Sequence, residues 1–293
     1  MDSVEFKAGI NTYNYTWSLS ESRWAWEFLR RNDAFRKIAA QRDPNDISTR
    51  KACHDITIVR PKLDQTEAQR WGLVCMPDPD ENGFDANVFW SSALYPRGIS
   101  IHVSQRGDDE VDDIFTQSMR NCTVVHLTDL AGREHLLIKG NGRVVQVECT
   151  GLSLLSLEPV RMKLIIDTLG DFDQSIAAIE RGKELYGKDF ETGEPVWTRS
   201  ALTLRNALVA VDCHDAGLSY LETAVYIYGM TRAQEAWSGT SRAMKDEIKR
   251  ALTRGKELRD GAYTTLLNPE AKKRQTRGGS FAPYDIGANP LGV

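Results

Sequence analysis

The chain has 293 residues, 41% of them hydrophobic and 27% charged, with a net charge of −4. These are the proportions of a soluble globular protein with room for two or three small domains. It holds no run of eighteen apolar residues, and the opening MDSVEFKAGINTYNY lacks the basic start and apolar core of a secretion signal. A membrane-spanning or exported protein is therefore not expected, and the chain reads as cytoplasmic. Cys53, Cys75, Cys122, Cys149 and Cys213 are scattered with no CxxC, which suits reduced packing residues better than a disulfide framework.

From Tyr13 to Gln41 the chain is rich in aromatics, and Trp24, Phe28, Phe35 and Ile38 recur near helical spacing. Two short helices are predicted, with Ser20 as a first N-cap and Asn32-Asp33 as the break between them. A domain this small cannot cover so many large rings, so some are expected at an interface. Arg42 to Thr66 reads as a polar linker with one edge strand, Ile56-Thr57-Ile58-Val59, ahead of Pro61. Further strands are predicted at 71–76 and 98–103, split by the turn-rich Pro77 to Asp85. Asp108-Asp109-Glu110 with Asp112-Asp113 reads as a solvated loop or helix start, since no metal-ligand spacing is met.

The clearest strand signal is VVHLTDL (124–130), EHLLIK (134–139) and RVVQVEC (143–149), with Asn141-Gly142 in the second turn. Asn-Gly between alternating strands is the preferred two-residue hairpin turn, so a three-stranded antiparallel meander is expected. Glu158-Pro159 then reads as a helix start, with Val160, Leu164, Ile165 and Leu169 on its buried side. A second helix from Asp171 or Asp173 uses Phe172, Ile176, Ile179 and Leu185, and a turn-rich connector runs from Gly187 to Pro195.

Thr198 to Leu267 reads as three helices. Leu204, Ala207, Leu208 and Val211 share one face of the first, and Gly217 supplies a left-handed stop. Ser219 and Glu222 form a capping box that opens a short second helix with Leu221, Ala224, Val225 and Tyr228 on one side. MTRAQEAWSG (230–239) is too long for a tight turn and reads as an extended one. Thr240 or Ser241 opens the third helix, which buries Met244, Ile248, Leu252, Gly255 and Leu258. At about 100° per residue, Arg242, Lys245, Lys249 and Lys256 fall in a stripe within about 60° of one another beside that side. Such a stripe is commonly just a solvated face. Here Ser241–Arg277 holds eleven Lys and Arg against five Asp and Glu, a local +6 that leaves −10 for the remainder. Charge asymmetry of that size is a footprint of nucleic-acid binding. Lys272-Lys273-Arg274 and Arg277 extend it into a tail without periodicity.

The pattern running from Val211-Asp212-Cys213-His214-Asp215-Ala216-Gly217-Leu218-Ser219-Tyr220-Leu221-Glu222 to Tyr228-Gly229, with Lys245 to Gly255 and Gly261-Ala262-Tyr263-Thr264-Thr265-Leu266-Leu267, resembles a helix-turn-helix family of proteobacterial mobile elements. Its members include the FseA-like activators and QseM-like antiactivators that control transfer of integrative and conjugative elements. The resemblance implies an extended-turn helix-turn-helix. In the activators it implies a positive DNA-binding side and an opposite side packed on an N-terminal domain; in the antiactivators it implies a negative surface that binds that domain instead. The block Trp24-Ala25-Trp26-Glu27-Phe28-Leu29-Arg30-Arg31-Asn32 is similar to the hallmark of that N-terminal domain. By this resemblance Trp24, Trp26, Phe28 and Leu29 dock the C-terminal helices or a competing antiactivator.

No catalytic constellation is found. His54, His102, His126, His135 and His214 are dispersed, and GxGxxG, phosphate-loop and HExxH motifs are missing. Cys122 and His126 have helix-like ligand spacing but sit where the pattern turns to strand. A nuclease or recombinase accessory would need more carboxylates at the basic face than Asp246 and Glu247. The expected fold is α+β: a Trp-rich helical domain (1–45), a strand-rich middle (46–157), a helical connector (158–195), a helix-turn-helix (196–270) and a basic tail (271–293). The expected function is a non-enzymatic transcriptional activator without cofactor or metal. Its candidate DNA-binding residues are Arg242, Lys245, Lys249, Arg250, Arg254 and Lys256. Its expected partners are double-stranded promoter DNA, a QseM-like antiactivator and RNA polymerase. The alternative is an antiactivator or interaction module that does not bind DNA; it predicts a neutral or acidic third-helix face.

Overall fold

The computed structural model describes residues 5–52, 55–96, 98–107, 122–140, 143–166, 172–185, 196–239 and 242–268. The acidic segment at 108–113, the Asn141-Gly142 turn, the connector at 187–195 and the basic tail lie outside the described residues. The chain enters through the 3-10 turns of Glu5–Ser18, then α1 (Glu21–Leu29) and α2 (Asp33–Ala40). Asn32 starts α2 because its side-chain oxygen accepts from the Phe35 amide, satisfying a donor the helix leaves free. Ser20 stands at the N-cap of α1 but makes no such bond to the helix backbone.

The middle of the chain builds a mixed sheet from β1 (Ile47–Lys51), β2 (Ile56–Pro61), β3 (Ile99–Gln105), β4 (Cys122–Thr128), β5 (Glu134–Gly140), β6 (Arg143–Gly151) and β7 (Val160–Ile165). A short helix, α3 (Thr66–Gln69), lies between β2 and β3. The strand order is β1-β2-β4-β5-β6-β3-β7. β2 with β4 and β3 with β6 are parallel, and the other neighbours are antiparallel. Side chains alternate between two faces. One face gathers Val124, Leu136, Ile138, Val145 and Val147 under Leu185 of α4 (Phe172–Leu185). The other gathers Val59, Val125, Leu127, Leu137 and Val144 with Phe89 and Cys75. The fold is α+β, and the antiparallel meander β4–β5–β6 is present.

Three expectations are corrected. Val160–Ile165 is a strand paired with β3, not a helix. Val160 and Leu164 stand four apart, a spacing that puts residues on one side of a helix and also on one face of a strand. The Ile56–Val59 segment is an interior strand, and the edge is β1, whose polar sequence conceals it. The stretch 71–76 is irregular apart from one bridge, Leu73 to Trp90.

The N-terminal and C-terminal helices share one core. Trp24, Trp26, Phe28, Leu29 and Phe35 are buried with Leu204, Leu208, Ala224, Ile248, Leu258 and Tyr263. A polar junction ties them. Arg31 donates from Nε and Nη2 to both carboxylate oxygens of Asp212, at 2.7 and 2.9 Å, and from Nη1 to Glu27, at 2.6 Å. Tyr13 donates to Asp212 at 2.6 Å. Burial pushes the Glu27 carboxyl up, but Arg31 and Arg30 outweigh it and hold it below the usual carboxylate range. Burial also opposes the charge on Arg31, yet Asp212 and Glu27 hold its pKa well above the ordinary value.

Asp212→Ala would leave the Arg31 guanidinium buried with half its partners gone. The expected cost is about 3–5 kcal/mol, read as a lower urea midpoint at unchanged slope. Acid should also destabilise the fold. On Glu134 burial raises the pKa, but His126, Ser153 and the Leu154 amide together hold it down at about 2; for His135, burial lowers it. A depressed carboxyl stabilises the fold above its unfolded value, 4.5, and that stability is lost as pH falls toward 2. A depressed imidazole likewise costs stability once pH falls below its ordinary value of 6.5. The urea midpoint should fall with pH in both windows, and Glu134→Gln should lessen the fall in the lower one, which Glu27 shares, and leave the upper one unchanged.

Candidate nucleic-acid interface

The C-terminal helices begin with α5 (Arg199–Asp215), started by Thr198, whose hydroxyl accepts from the Ala201 amide. Gly217, at φ 79°, turns the chain out of it. The capping box forms as expected: Ser219 and Glu222 satisfy each other's backbone amides and open α6 (Tyr220–Tyr228). Gly229, at φ 86°, is a single-residue joint. The segment expected as an extended turn is a helix, α7 (Met230–Ser238). Ala, Gln, Glu and Arg are good helix formers, and Ala233 is buried with Trp237 packed on the same core. After it comes α8 (Ala243–Glu257), then the wide turn Leu258–Ala262 and α9 (Thr264–Leu267).

The buried side of α8 is Ile248, Leu252 and Gly255, continued by Leu258, with Met244 half-buried. Gly255 sits where α8 crosses α5. A Cβ there would lie 2.4 Å from the Ala207 carbonyl oxygen and 2.5 Å from a Val211 methyl. The helices touch backbone to side chain, and this contact fixes which face of α8 looks outward. That face carries Arg242, Lys245, Lys249, Arg250 and Arg254, all exposed. Among the described residues none of these five is held in an ion pair.

The six candidate cations do not form one stripe. At about 100° per residue, Arg242, Lys245, Lys249 and Lys256 flank one side of a crest of Asp246, Thr253 and Glu257, and Arg250 and Arg254 flank the other. Lys256 is drawn back to α5, where its ammonium donates to His214 Nε2 at 2.8 Å. On the second flank the Tyr228 hydroxyl donates to Glu247 at 2.6 Å, and Arg232 of α7 lies 4.9 Å over the Tyr228 ring. Arg232 belongs beside this surface and is hidden in the sequence because its segment reads as a turn. Arg259 is engaged with Asp215 and Asp260.

Residues 174–268, from within α4 to the end of α9, match the model of a RovC-type T6SS transcription factor DNA-binding domain. Residues 10–76 match a proteobacterial transcriptional regulator-like domain. Together these matches support a DNA-binding transcription regulator. No curated protein matches the chain. The DNA-binding match begins within α4, upstream of the 196–270 bounds expected for the helix-turn-helix.

The aromatic candidates lie elsewhere. Trp24 and Phe28 stack at 6.4 Å, Trp26 meets Phe35 edge-on at 5.6 Å, and the Trp26 indole donates to the Glu81 carbonyl. With Leu29 they are buried at 2% exposure or less, α1 lying against α5, α9 and the wide turn before α9. As placed, they present no open surface to another protein. No helix among the described residues is long and apolar enough to cross a membrane, and no group of three His, Cys, Asp or Glu among them is placed to hold a metal ion.

Gly255→Ala should force α8 off α5. The expected destabilisation is about 1–3 kcal/mol, the usual range for overpacking, with a loss of DNA affinity larger than that of Ala251→Gly on the adjacent, half-buried position. Thermal melting and duplex titration of both variants check this.

Proposed function

We propose that this chain is a transcriptional activator that binds double-stranded promoter DNA through the exposed face of α8, and that it controls excision and conjugative transfer of an integrative mobile element. The observation that carries the DNA contact is the set of five exposed cations on a helix whose opposite side is locked on α5. Lys and Arg held out from a fixed scaffold without internal partners are available to phosphates, and releasing counterions from those phosphates drives binding. Arg242, Lys245 and Lys249 form one contact line; Arg250, Arg254 and Arg232 form the other, across the crest. Lys256 joins the first line when it leaves His214. The role in element transfer is supported by the resemblance of the Val211–Gly229 pattern and of the Trp24–Asn32 block.

The protein acts without catalysis, with RNA polymerase as the partner of activation. A QseM-like antiactivator reaches Trp24, Trp26, Phe28 and Leu29 only by displacing the helices that cover them, so antiactivation and interdomain docking compete for one surface.

The test is a salt series of binding to the promoter-region duplex of its own element against a random duplex. Wild type should prefer the promoter, with affinity falling steeply with salt. Lys245→Glu with Lys249→Glu should abolish that preference and reduce the slope of log affinity against log salt by about 0.9 for each phosphate no longer neutralised, with the melting temperature unchanged. Unaltered affinity and slope in this variant would remove α8 from the interface. In cells, a promoter reporter and the amount of excised element should both rise with wild type and not with the variant. A reporter that rises while excision stays flat would sink the transfer role alone.

A further inference from the structure

The basic face of α8 is not the sole positive island in this acidic chain. Residues 47–62 hold Arg50, Lys51, Arg60 and Lys62 against one acid, Asp55, a local +3. With the +6 of 241–277, everything else carries −13. Arg50, Lys51 and Arg60 stand on the β1–β2 ribbon at the end of the sheet, and Lys62 directly follows β2. Among the described residues β1 pairs with β2 alone, and Ser48, Thr49, Arg50 and Lys51 are exposed. Beyond Ile47 the strand buries nothing, so packing does not account for its sequence. In the ladder Arg50 stands opposite Ile58 and Arg60 opposite Ser48. By the period of two, Arg50, Arg60 and Lys62 belong to one face and Lys51 to the other. Arg60 and Lys62 are exposed as well, and among the described residues none of the four cations is in an ion pair. Of the nearby carboxylates, Asp43 accepts from the Asn45 amide and Asp64 from Thr66, while Asp46 stands beside Lys62, whose amide donates to its carbonyl, and Asp55 just ahead of β2.

Edge strands often carry a charge to block pairing with other chains. Arg161 and Lys163 on β7, at the opposite end of the sheet, fit that role. β1 goes further, since each exposed side chain in Ser-Thr-Arg-Lys is of a type that contacts phosphate. A two-stranded ribbon is also one of the two elements that the major groove admits.

We propose that the β1–β2 ribbon is a second DNA-contacting surface that engages the backbone of the duplex held by α8. It contributes affinity and salt dependence without reading sequence. This inference rests on the reading of α8 given above. It differs in what it predicts: discrimination belongs to α8, while the ribbon's contribution is uniform across sequences.

The experiment uses the full chain carrying Arg50→Gln, Lys51→Gln, Arg60→Gln and Lys62→Gln. Binding to promoter and random duplexes should weaken in parallel, the ratio between them unchanged. The slope against log salt should fall by about 0.9 for each phosphate the ribbon neutralises. Unchanged affinity and slope, with or without new self-association through the freed edge, would overturn the ribbon and leave α8 standing. Wild type that binds no duplex would overturn both. If the variant fails to fold, amine acetylation of wild type decides: added duplex should protect Lys51 and Lys62 but not Lys163 on the far edge. Equal reactivity of all three with and without duplex, or protection by single-stranded RNA alone, rejects the proposal.

Discussion

Asp212 is where the two ends of the chain are held to each other. A carboxylate on the inner side of a packed helix would ordinarily be a liability, because a buried charge without partners costs several kcal/mol. Here it receives the fork of Arg31 and the hydroxyl of Tyr13, so it is satisfied only when the N-terminal segment lies on α5. The apolar rings around it contribute area but little direction, since burial of apolar surface is nearly orientation-free. The bidentate pair supplies the direction. Further bonds keep the same register: Asn32 donates to the Arg259 carbonyl, Tyr226 to that of Gly9 and Tyr263 to that of Trp71.

α5 thereby has two jobs on adjacent faces. Asp212 and its neighbours meet the N-terminal helices, and Ala207 with Val211 receives Gly255 of α8. The outward face of α8 follows from that crossing more than from anything on α8 itself. A helix with the same cations but a side chain at 255 would sit further out, and its exposed cations would be spread differently. Lys256 shows the principle within a single turn. It shares the angular position of Lys245 and Lys249, yet lies close enough to α5 to be captured by His214.

Much of this is legible in the sequence where one local signal has one meaning. The Ser219–Glu222 box, Gly217, Asn32 and the meander all involve residue types whose chemistry suits few alternatives. The failures have a common form. Val160 and Leu164 obey two periods at once, so a strand held in place by pairing with β3 reads as a helix. Ile56–Val59 is short and apolar, and nothing in it reports whether a neighbour covers one edge or two. Met230–Ser238 resembles a turn by its position between two helices, while its own helix formers say otherwise. For the site, the cations of α8 and their division into two flanks follow from the helical period, but the place of Arg232 beside them depends on where Tyr228 meets Glu247.

The aromatic block shows the limit from the other side. An excess of rings in forty residues does signal that they must be covered, but not by what. Trp24, Trp26 and Phe28 are covered by α1's own neighbours, by the loop carrying Glu81 and by the C-terminal helices at the same time, so no single contact accounts for their burial. Arg23 illustrates the consequence. It is buried beneath the same rings with two backbone carbonyls, those of Ala86 and Val88, as its partners, and desolvation pulls its pKa down to about 10. A guanidinium tolerates that position only if the 86–90 segment, α1 and the sheet keep their arrangement. The N-terminal helices are thus bound to the 86–88 loop through Arg23 and to α5 through Arg31, eight residues apart in the chain. Each charge, left without its partners, would make separation of its own boundary costly, so the segment from Arg23 to Arg31 ties the 86–88 loop to α5.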